Sequence, residues 1–232
     1  MAILRIIGDV HGQVDDENLM TRGAPTYSQL ITAVPYSIQI GDMGDGDTYD
    51  FLKAHVDLAR HRFFPGNHDH YDQLPPHTLG DFGGVNWGGV DLFFVRGAAS
   101  TDREKLLRVG RDLGRTLWFA EEELTDAQMF HVEQQFLAAR PRIMLSHDAP
   151  TSIARFAWQH ARRLGPPNPG NVFQPSRTNQ FLSRLLEQHA PELWLFGHHH
   201  RDCQTHEGET LFVCVGELSY YDIYVPPLSM GE

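Results

Sequence analysis

The sequence predicts an α/β layered fold, and two observations carry that prediction. Six short apolar runs recur along the chain with the length and composition of buried strands. Segments with helical spacing lie between several of them, and strand–helix alternation in this order builds layered α/β domains.

In chain order, the first two runs are Ile3–Ile7 and Tyr36–Ile40. A helical pattern follows over roughly Tyr49–Arg60, ahead of a short third run, Arg62–Phe64. The Gly-rich stretch Gly83–Gly89 predicts a turn between strands, and Leu92–Val95 is the fourth run. A second helix is predicted over Thr125–Ala139, where Thr125 and Gln128 stand in capping-box spacing and Met129, Val132 and Phe136 share one face. Ile143–Leu145 is the fifth run. The breaker-rich Gly165-Pro166-Pro167-Asn168-Pro169-Gly170 predicts a loop. A third helix is predicted over Ser176–His189, with Phe181, Leu182, Leu185 and Leu186 at helical spacing. Pro141 and Pro191 lie just past the ends of these last two helices, where a helix cannot continue. Leu193–Phe196 is the sixth run. The C-terminal part changes character: Asp202–Glu207 and Thr210–Val215 flank Gly208-Glu209, a two-residue hairpin turn, and Tyr220–Val225 is a further strand. That hairpin sets Cys203 opposite Cys214, read as two small thiols in a reducing compartment rather than a redox pair. No linker, repeat or low-complexity tract interrupts the chain, so residues 1–232 are expected to form one domain.

The 232 residues, 41% of them hydrophobic, are enough for a sizeable core. A formal net charge of -11 disfavours stable non-specific binding to nucleic acid or to an anionic membrane surface. Of the 19 basic residues 17 are Arg, a bias that genome composition explains at least as well as phosphate recognition. No apolar run approaches the roughly 18–20 residues that span a bilayer. The apolar stretch Ala2–Ile7 is too short for a signal-peptide core, so a cytoplasmic protein with no membrane partner is expected.

Five of the six runs end in the same kind of event. Ile6-Ile7-Gly8 leads to Asp9-Val10-His11-Gly12, and Ile38-Gln39-Ile40 to Gly41-Asp42-Met43-Gly44-Asp45. Phe63-Phe64-Pro65 leads to Gly66-Asn67-His68-Asp69, Met144-Leu145 to Ser146-His147-Asp148, and Leu195-Phe196 to Gly197-His198-His199-His200. Open α/β sheets build their sites beyond the carboxyl ends of strands. Any one of these words is an ordinary polar turn. Five in succession, each with a metal-capable side chain, are difficult to produce from unrelated loops.

Taken in order, the motifs Gly8-Asp9-Val10-His11, Gly41-Asp42-Met43-Gly44-Asp45, Gly66-Asn67-His68-Asp69, Ser146-His147 and Gly197-His198-His199-His200 resemble those of the calcineurin-like metallophosphoesterase family. The resemblance runs from Asp9 to His200. It implies a layered α/β/β/α sandwich with mixed sheets. Gly97-Ala98-Ala99-Ser100-Thr101-Asp102, with Trp118 and Glu121-Glu122-Glu123-Leu124 downstream, is similar to a subgroup of small family members.

The resemblance also implies roles. Asp9, His11 and His200 would hold one divalent ion, Asn67, His147 and His198 a second, and Asp42 would bridge the two. Asp, His and Asn donors without a thiolate suit borderline-hard ions, manganese first, with iron, zinc or nickel as alternatives. The implied reaction is hydrolysis of phosphomonoesters or phosphodiesters by a metal-bridging hydroxide. His68 would act as general acid or phosphate contact, and Asp45 would orient it through the other ring nitrogen. Asp69 reads as a turn-stabilising carboxylate ahead of a second orienting group.

Two departures bear on substrate. Gly46 stands where the protein Ser/Thr phosphatase branch carries an Arg after the second Asp, and that branch lacks the Gly-His-x-His form of Gly197–His200. Both favour small phosphate esters, nucleotides and cyclic nucleotides included. A protein Ser/Thr phosphatase and a metal-loaded, non-catalytic binding module are the alternatives. A nuclease would want a basic groove that the sequence does not indicate. Arg96, Arg103 and Arg201 are candidates to grip phosphate, Arg201 first because it adjoins the last ligand; a surface salt bridge is the competing role for each. His70 and Tyr71 follow the third motif and are candidates to line the cleft. His199 should turn away from its neighbours by strand alternation. Trp87, Trp118 and Trp158 could stack on a base or aryl group, or pack in the core. Physiological substrate, metal identity and oligomeric state stay open.

Overall fold

A computed structural model describes residues 2–13, 25–44, 46–55, 57, 59–75, 77–163 and 172–225. The strands are β1 (Ala2–Ile7), β2 (Tyr36–Gln39), β3 (His61–Phe63), β4 (Phe82–Trp87), β5 (Val90–Val95), β6 (Ile143–Ser146), β7 (Leu193–Phe196), β8 (Cys203–Glu207), β9 (Thr210–Cys214) and β10 (Tyr220–Val225). The α-helices among the described residues are α1 (Tyr27–Thr32), α2 (Gly46–His55), α3 (Arg103–Leu113), α4 (Asp126–Ala139), α5 (Thr151–Arg163) and α6 (Arg177–Gln188). Two sheets result. The smaller has the order β10-β1-β2-β3 and the larger β4-β5-β6-β7-β9-β8. Strands β1, β2 and β3 run parallel with β10 antiparallel at the edge; β5, β6, β7 and β9 run parallel, with β4 and β8 antiparallel at the two edges.

Side-chain alternation divides the apolar residues among three cores. Leu4, Ile6, Ile38, Ile40 and Phe64 of the small-sheet side meet Leu92, Phe94, Leu145, Leu195 and Val213 of the large sheet. Ile7 and Phe63 point the other way, onto Tyr27, Leu30, Ile31, Tyr49 and Leu52 of α1 and α2. Phe93, Met144, Trp194, Phe196 and Phe212 face outward from the large sheet onto Met129, Val132 and Phe136 of α4, Ile153, Ala154 and Ala157 of α5, and Phe181, Leu182 and Leu185 of α6. The layers are therefore helix, sheet, sheet, helix. Strands covered on both faces explain why the apolar runs read as continuous rather than alternating.

Local signals explain the helix ends. Thr125 accepts from the Gln128 backbone N–H while the Gln128 side chain returns to the Thr125 N–H, and Ser176 with Asn179 and Thr26 with Gln29 repeat this capping box. The C-terminal hairpin sets Cys203 opposite Cys214, both free thiols.

Two sequence expectations are corrected. Most of Gly83–Gly89 is strand β4; the turn is only Gly88-Gly89, because Gly83 and Gly84 pair with Phe94 and Phe93 of β5, and pairing overrides their poor strand propensity. Helix α2 begins at Gly46 and ends at His55 rather than reaching Arg60. Helices α1, α3 and α5 lie outside the three helices that the sequence predicted. The loop expected at Gly165–Gly170 lies outside the described residues. No helix among the described residues is long and apolar enough to cross a membrane.

Candidate metal centre

The parallel strands of both sheets deliver the chemistry at their carboxyl ends. Asp9 and His11 follow β1, Asp42 follows β2, and Asn67 and His68 follow β3, all from the small sheet. His147 follows β6, and His198 and His200 follow β7, from the large sheet. One ligand atom each from Asp9, His11, Asp42 and His200 lies within 4.8 Å of the others, and so does one each from Asp42, His147 and His198. Asp42 belongs to both groups. Asn67 joins the second, its Oδ1 standing 3.1 Å from His147 Nε2.

Backbone conformation makes this convergence possible. His11, Asp42, His198 and His200 all adopt positive φ, at 50°, 57°, 66° and 56°. Left-handed backbone at residues other than Gly costs on the order of 1 kcal/mol or more each and collects at functional sites. Gly66 shows how tightly the loops approach: a Cβ there would stand 2.2 Å from Asp42 Oδ1 and 2.5 Å from His147 Nε2.

The donor set fits divalent ions on the structure's own terms. Asp9 and Asp42 are fully buried. One oxygen of each is used within the protein: Asp9 Oδ1 accepts from the His198 N–H at 3.0 Å, and Asp42 Oδ1 from the His68 N–H at 2.8 Å. The second oxygens, Asp9 Oδ2 and Asp42 Oδ2, are buried without a hydrogen-bond partner among the described residues, although His200 Nε2 stands 3.1 Å from the former. A buried carboxylate oxygen left unpaired is costly unless a cation meets it. The histidines point the same way. His11 Nε2 and His200 Nε2 face each other at 3.0 Å. His147 Nδ1 lies 2.9 Å from the Ile40 carbonyl, which sets Nδ1 as the protonated nitrogen and turns the Nε2 lone pair toward Asn67 Oδ1. Without a metal ion, a proton on one partner must occupy each of these short contacts.

Electrostatics agree. Burial acts to push His147 down and Asp42 up, but attraction between the two outweighs it: His147 is held up at about 10 and Asp42 well below the usual carboxylate range. A metal ion at the same place would displace that proton. Burial pushes His198 down to about 4 and lowers His11, which leaves both as neutral ligands.

His11, Gly12, Gly44, His68 and His70 line an open cleft of about 260 Å³ over this cluster. His68 and His70 are half-buried there, and His70 packs against Phe119 with ring centroids 5.5 Å apart. Asp45 lies outside the described residues. Asp69 is not an orienting group for His68: its two oxygens accept the backbone N–H groups of Asp42, Met43, Gly44 and Gly66 and the Tyr49 hydroxyl. It clamps the second and third motif loops together. Arg201 is exposed and does not line the cleft. Arg96 is buried and engaged by Asp81, the Tyr71 hydroxyl and the Glu121 carbonyl. Arg103 lies 4.2 Å over the Trp118 ring. Trp87 donates to the Ser37 carbonyl and packs edge-on against Tyr36. His199 turns away, to 3.6 Å from Asp148. A larger cavity of about 880 Å³, around Phe93, Arg142 and Tyr224, contains none of the candidate ligands.

Contacts that sequence reasoning left without a role surround Asn67. Its Nδ2 donates to Ser100 Oγ at 3.1 Å, and Ser100 Oγ donates to Glu122 Oε2 at 2.6 Å.

The family model for calcineurin-like phosphoesterases matches residues 4–202, a span that holds every candidate ligand. No curated protein matches the chain. Among solved structures, phosphopantetheinyl hydrolase from Mycobacterium tuberculosis is similar at 14% identity and a TM-score of 0.49, over 100% of this chain and 99% of that one. GAP50, the anchor in the inner membrane complex of Plasmodium, is similar at 11% identity and a TM-score of 0.47, over 94% and 73%. Zinc-complexed Vps29 from Entamoeba histolytica is similar at 13% identity and a TM-score of 0.36, over 93% and 74%.

Proposed function

The chain belongs to the calcineurin-like phosphoesterase family and is a metal-dependent phosphoric ester hydrolase, and from that premise we propose a two-ion enzyme acting on small phosphomonoesters or phosphodiesters, nucleotides included. The observation that carries this reading is Asp42. Among the described residues it is the one carboxylate common to both ligand groups, it is fully buried, and its Oδ2 has no hydrogen-bond partner. A carboxylate so placed is suited to bridge two cations.

In this reading Asp9, His11, Asp42 and His200 hold one ion, and Asp42, Asn67, His147 and His198 the other. When bound, the ions supply positive charge for the phosphoryl oxygens and acidify water into a nucleophile at neutral pH. Nitrogen and oxygen donors without a thiolate favour manganese, with iron, zinc or nickel as alternatives.

The protein's own groups do the rest. The Ile40 carbonyl accepts a hydrogen bond from the His147 Nδ1–H, which leaves Nε2 as the nitrogen that would meet an ion. His68, held at the cleft by its backbone hydrogen bond to Asp42, delivers a proton to the leaving oxygen. Asp45, three residues past Asp42, is assigned to orient the His68 ring. The cleft is small beside a typical ligand pocket of about 300–1,000 Å³, so it accommodates the phosphoryl end and leaves the leaving group at its mouth. His70 is placed to meet that group, with Arg201 the nearest outer cation in sequence. Residues 1–232 are taken as one domain, and a cytoplasmic setting suits its two free thiols.

Hydrolysis of p-nitrophenyl phosphate and bis-p-nitrophenyl phosphate tests this, with protein stripped by chelator and reloaded with manganese. Turnover of either, absent in chelator and in Asp42→Asn, is expected. His68→Ala should lose about 10²–10⁴-fold in kcat while retaining both ions. A fully active His68→Ala removes His68 from the mechanism. No turnover with manganese, iron, nickel or zinc, in protein carrying two ions, would favour a metal-loaded binding module.

A further inference from the structure

We infer that Glu122, acting through Ser100, is a positioning residue that decides which end of the Asn67 amide faces the second metal ion. The inference rests on the two-ion reading above. Its starting point is that Glu122 is buried, at 4% exposure, yet among the described residues no cation pairs with it. Its carboxylate is spent on a single residue: Oε1 accepts the Ser100 N–H at 3.0 Å and Oε2 the Ser100 hydroxyl at 2.6 Å. A buried carboxylate is costly, and the hydrogen bonds this one accepts both come from Ser100.

The consequence follows from counting donors. A serine hydroxyl has one hydrogen. The carboxylate is an acceptor and takes that hydrogen, so Ser100 Oγ can only accept from its other neighbour. That neighbour is Asn67, whose Nδ2 lies 3.1 Å away. The amide nitrogen is thereby fixed toward Ser100, and Asn67 Oδ1 is fixed toward His147 Nε2, where an ion would bind. An inverted amide would present two N–H donors to the cation instead of an oxygen.

The backbone around this relay is built to hold it. Gly97, at the end of β5, has φ +85°, and a Cβ there would stand 2.1 Å from the Glu122 carbonyl oxygen. Its N–H donates to the Pro65 carbonyl at 3.0 Å, two residues before Asn67. Glycine therefore lets the Ala120–Glu122 turn settle directly on the β5 loop, while the same loop is tied to the Asn67 loop. The segments Gly97–Asp102 and Glu121–Leu124, which the sequence set apart without a task, meet at this point.

Metal-free protein titrated with manganese alone tests the relay, by isothermal calorimetry for stoichiometry and by electron paramagnetic resonance for the spin-coupled pair. Wild-type protein should take up two ions. Glu122→Gln keeps size and shape but can donate to Ser100, which frees the hydroxyl hydrogen to capture Asn67 Oδ1. It should bind the first ion with unchanged affinity, the second about 10- to 100-fold more weakly, and lose the coupled signal. Ser100→Ala should behave alike, and Ser100→Thr, which retains the hydroxyl, should restore both ions. Two ions bound at wild-type affinity in both Glu122→Gln and Ser100→Ala overturns the relay and leaves the two-ion reading standing. Fewer than two ions in the wild type overturns that reading and the relay with it.

Discussion

Asp69 holds more of the site in place than any candidate ligand does. It is fully buried, and burial followed by the neighbouring Asp42 carboxylate pushes its pKa up, against the pull of the N–H donors it accepts. Asp69→Asn would turn an NH2 group toward those donors. Oδ2 serves Asp42 and Gly66, and Oδ1 serves Met43, Gly44 and Tyr49, so either amide orientation strands at least two partners. We expect a loss on the order of 2–4 kcal/mol in urea unfolding, with Asp42 displaced and turnover lost. An unchanged midpoint would mean that water replaces the lost acceptor. At this scale the candidate ligands were legible because each lies a few residues past an apolar run, inside one contiguous word. Ser100 and Glu122 were not, because the Asn67–Ser100 and Ser100–Glu122 contacts join positions 33 and 22 residues apart and exist only after packing.

Elements were legible in proportion to how much apolar surface they bury. The runs that became β1, β2, β6 and β7 are covered on both faces, and α4 and α6 carry their buried residues at helical spacing behind capping boxes. Helix α3 buries only Gly110; Leu106, Leu107 and Val109 are half-buried and Leu113 is exposed, so its apolar side adds little to the core. Helix α5 packs through Ile153, Ala154 and Ala157; its apolar side is periodic, but with two alanines it covers little surface. For α4 the cap itself is testable. Thr125→Ala removes one hydroxyl acceptor from the Gln128 N–H and should cost about 1 kcal/mol in denaturant unfolding, with metal content unchanged. A loss of metal in that variant would mean that the helix layer positions the site and does not merely cover the sheet.

For the whole molecule, two buried histidines outside the proposed ligand set contribute to acid sensitivity. His61 accepts or donates to the Tyr27 hydroxyl at 2.7 Å and the Ser37 hydroxyl at 2.8 Å, and burial first, then His77 and Arg62, push it down to about 3. Burial first, then Arg62 and Lys53, push His77 down to about 4. Both stay neutral in the folded protein while the unfolded chain protonates them below 6.5. Their contribution is therefore complete above pH 6.5 and lost as pH falls toward 4 and then 3, at up to about 1.4 kcal/mol per pH unit for each proton. Urea unfolding between pH 7 and 4 should show that slope, and His77→Phe should lower it by one proton; an unaltered slope would assign acid sensitivity elsewhere. The two sheets also have a joint property. Asp9, His11, Asp42 and Asn67 ride on one, His147, His198 and His200 on the other, and the packing of Phe64, Phe94, Leu145 and Leu195 sets the gap between them. On the two-ion reading, an ion spanning that gap would act as a caliper: shear between the sheets by a fraction of an ångström, from a truncated core side chain or from heat, would register as released metal while every strand is still paired.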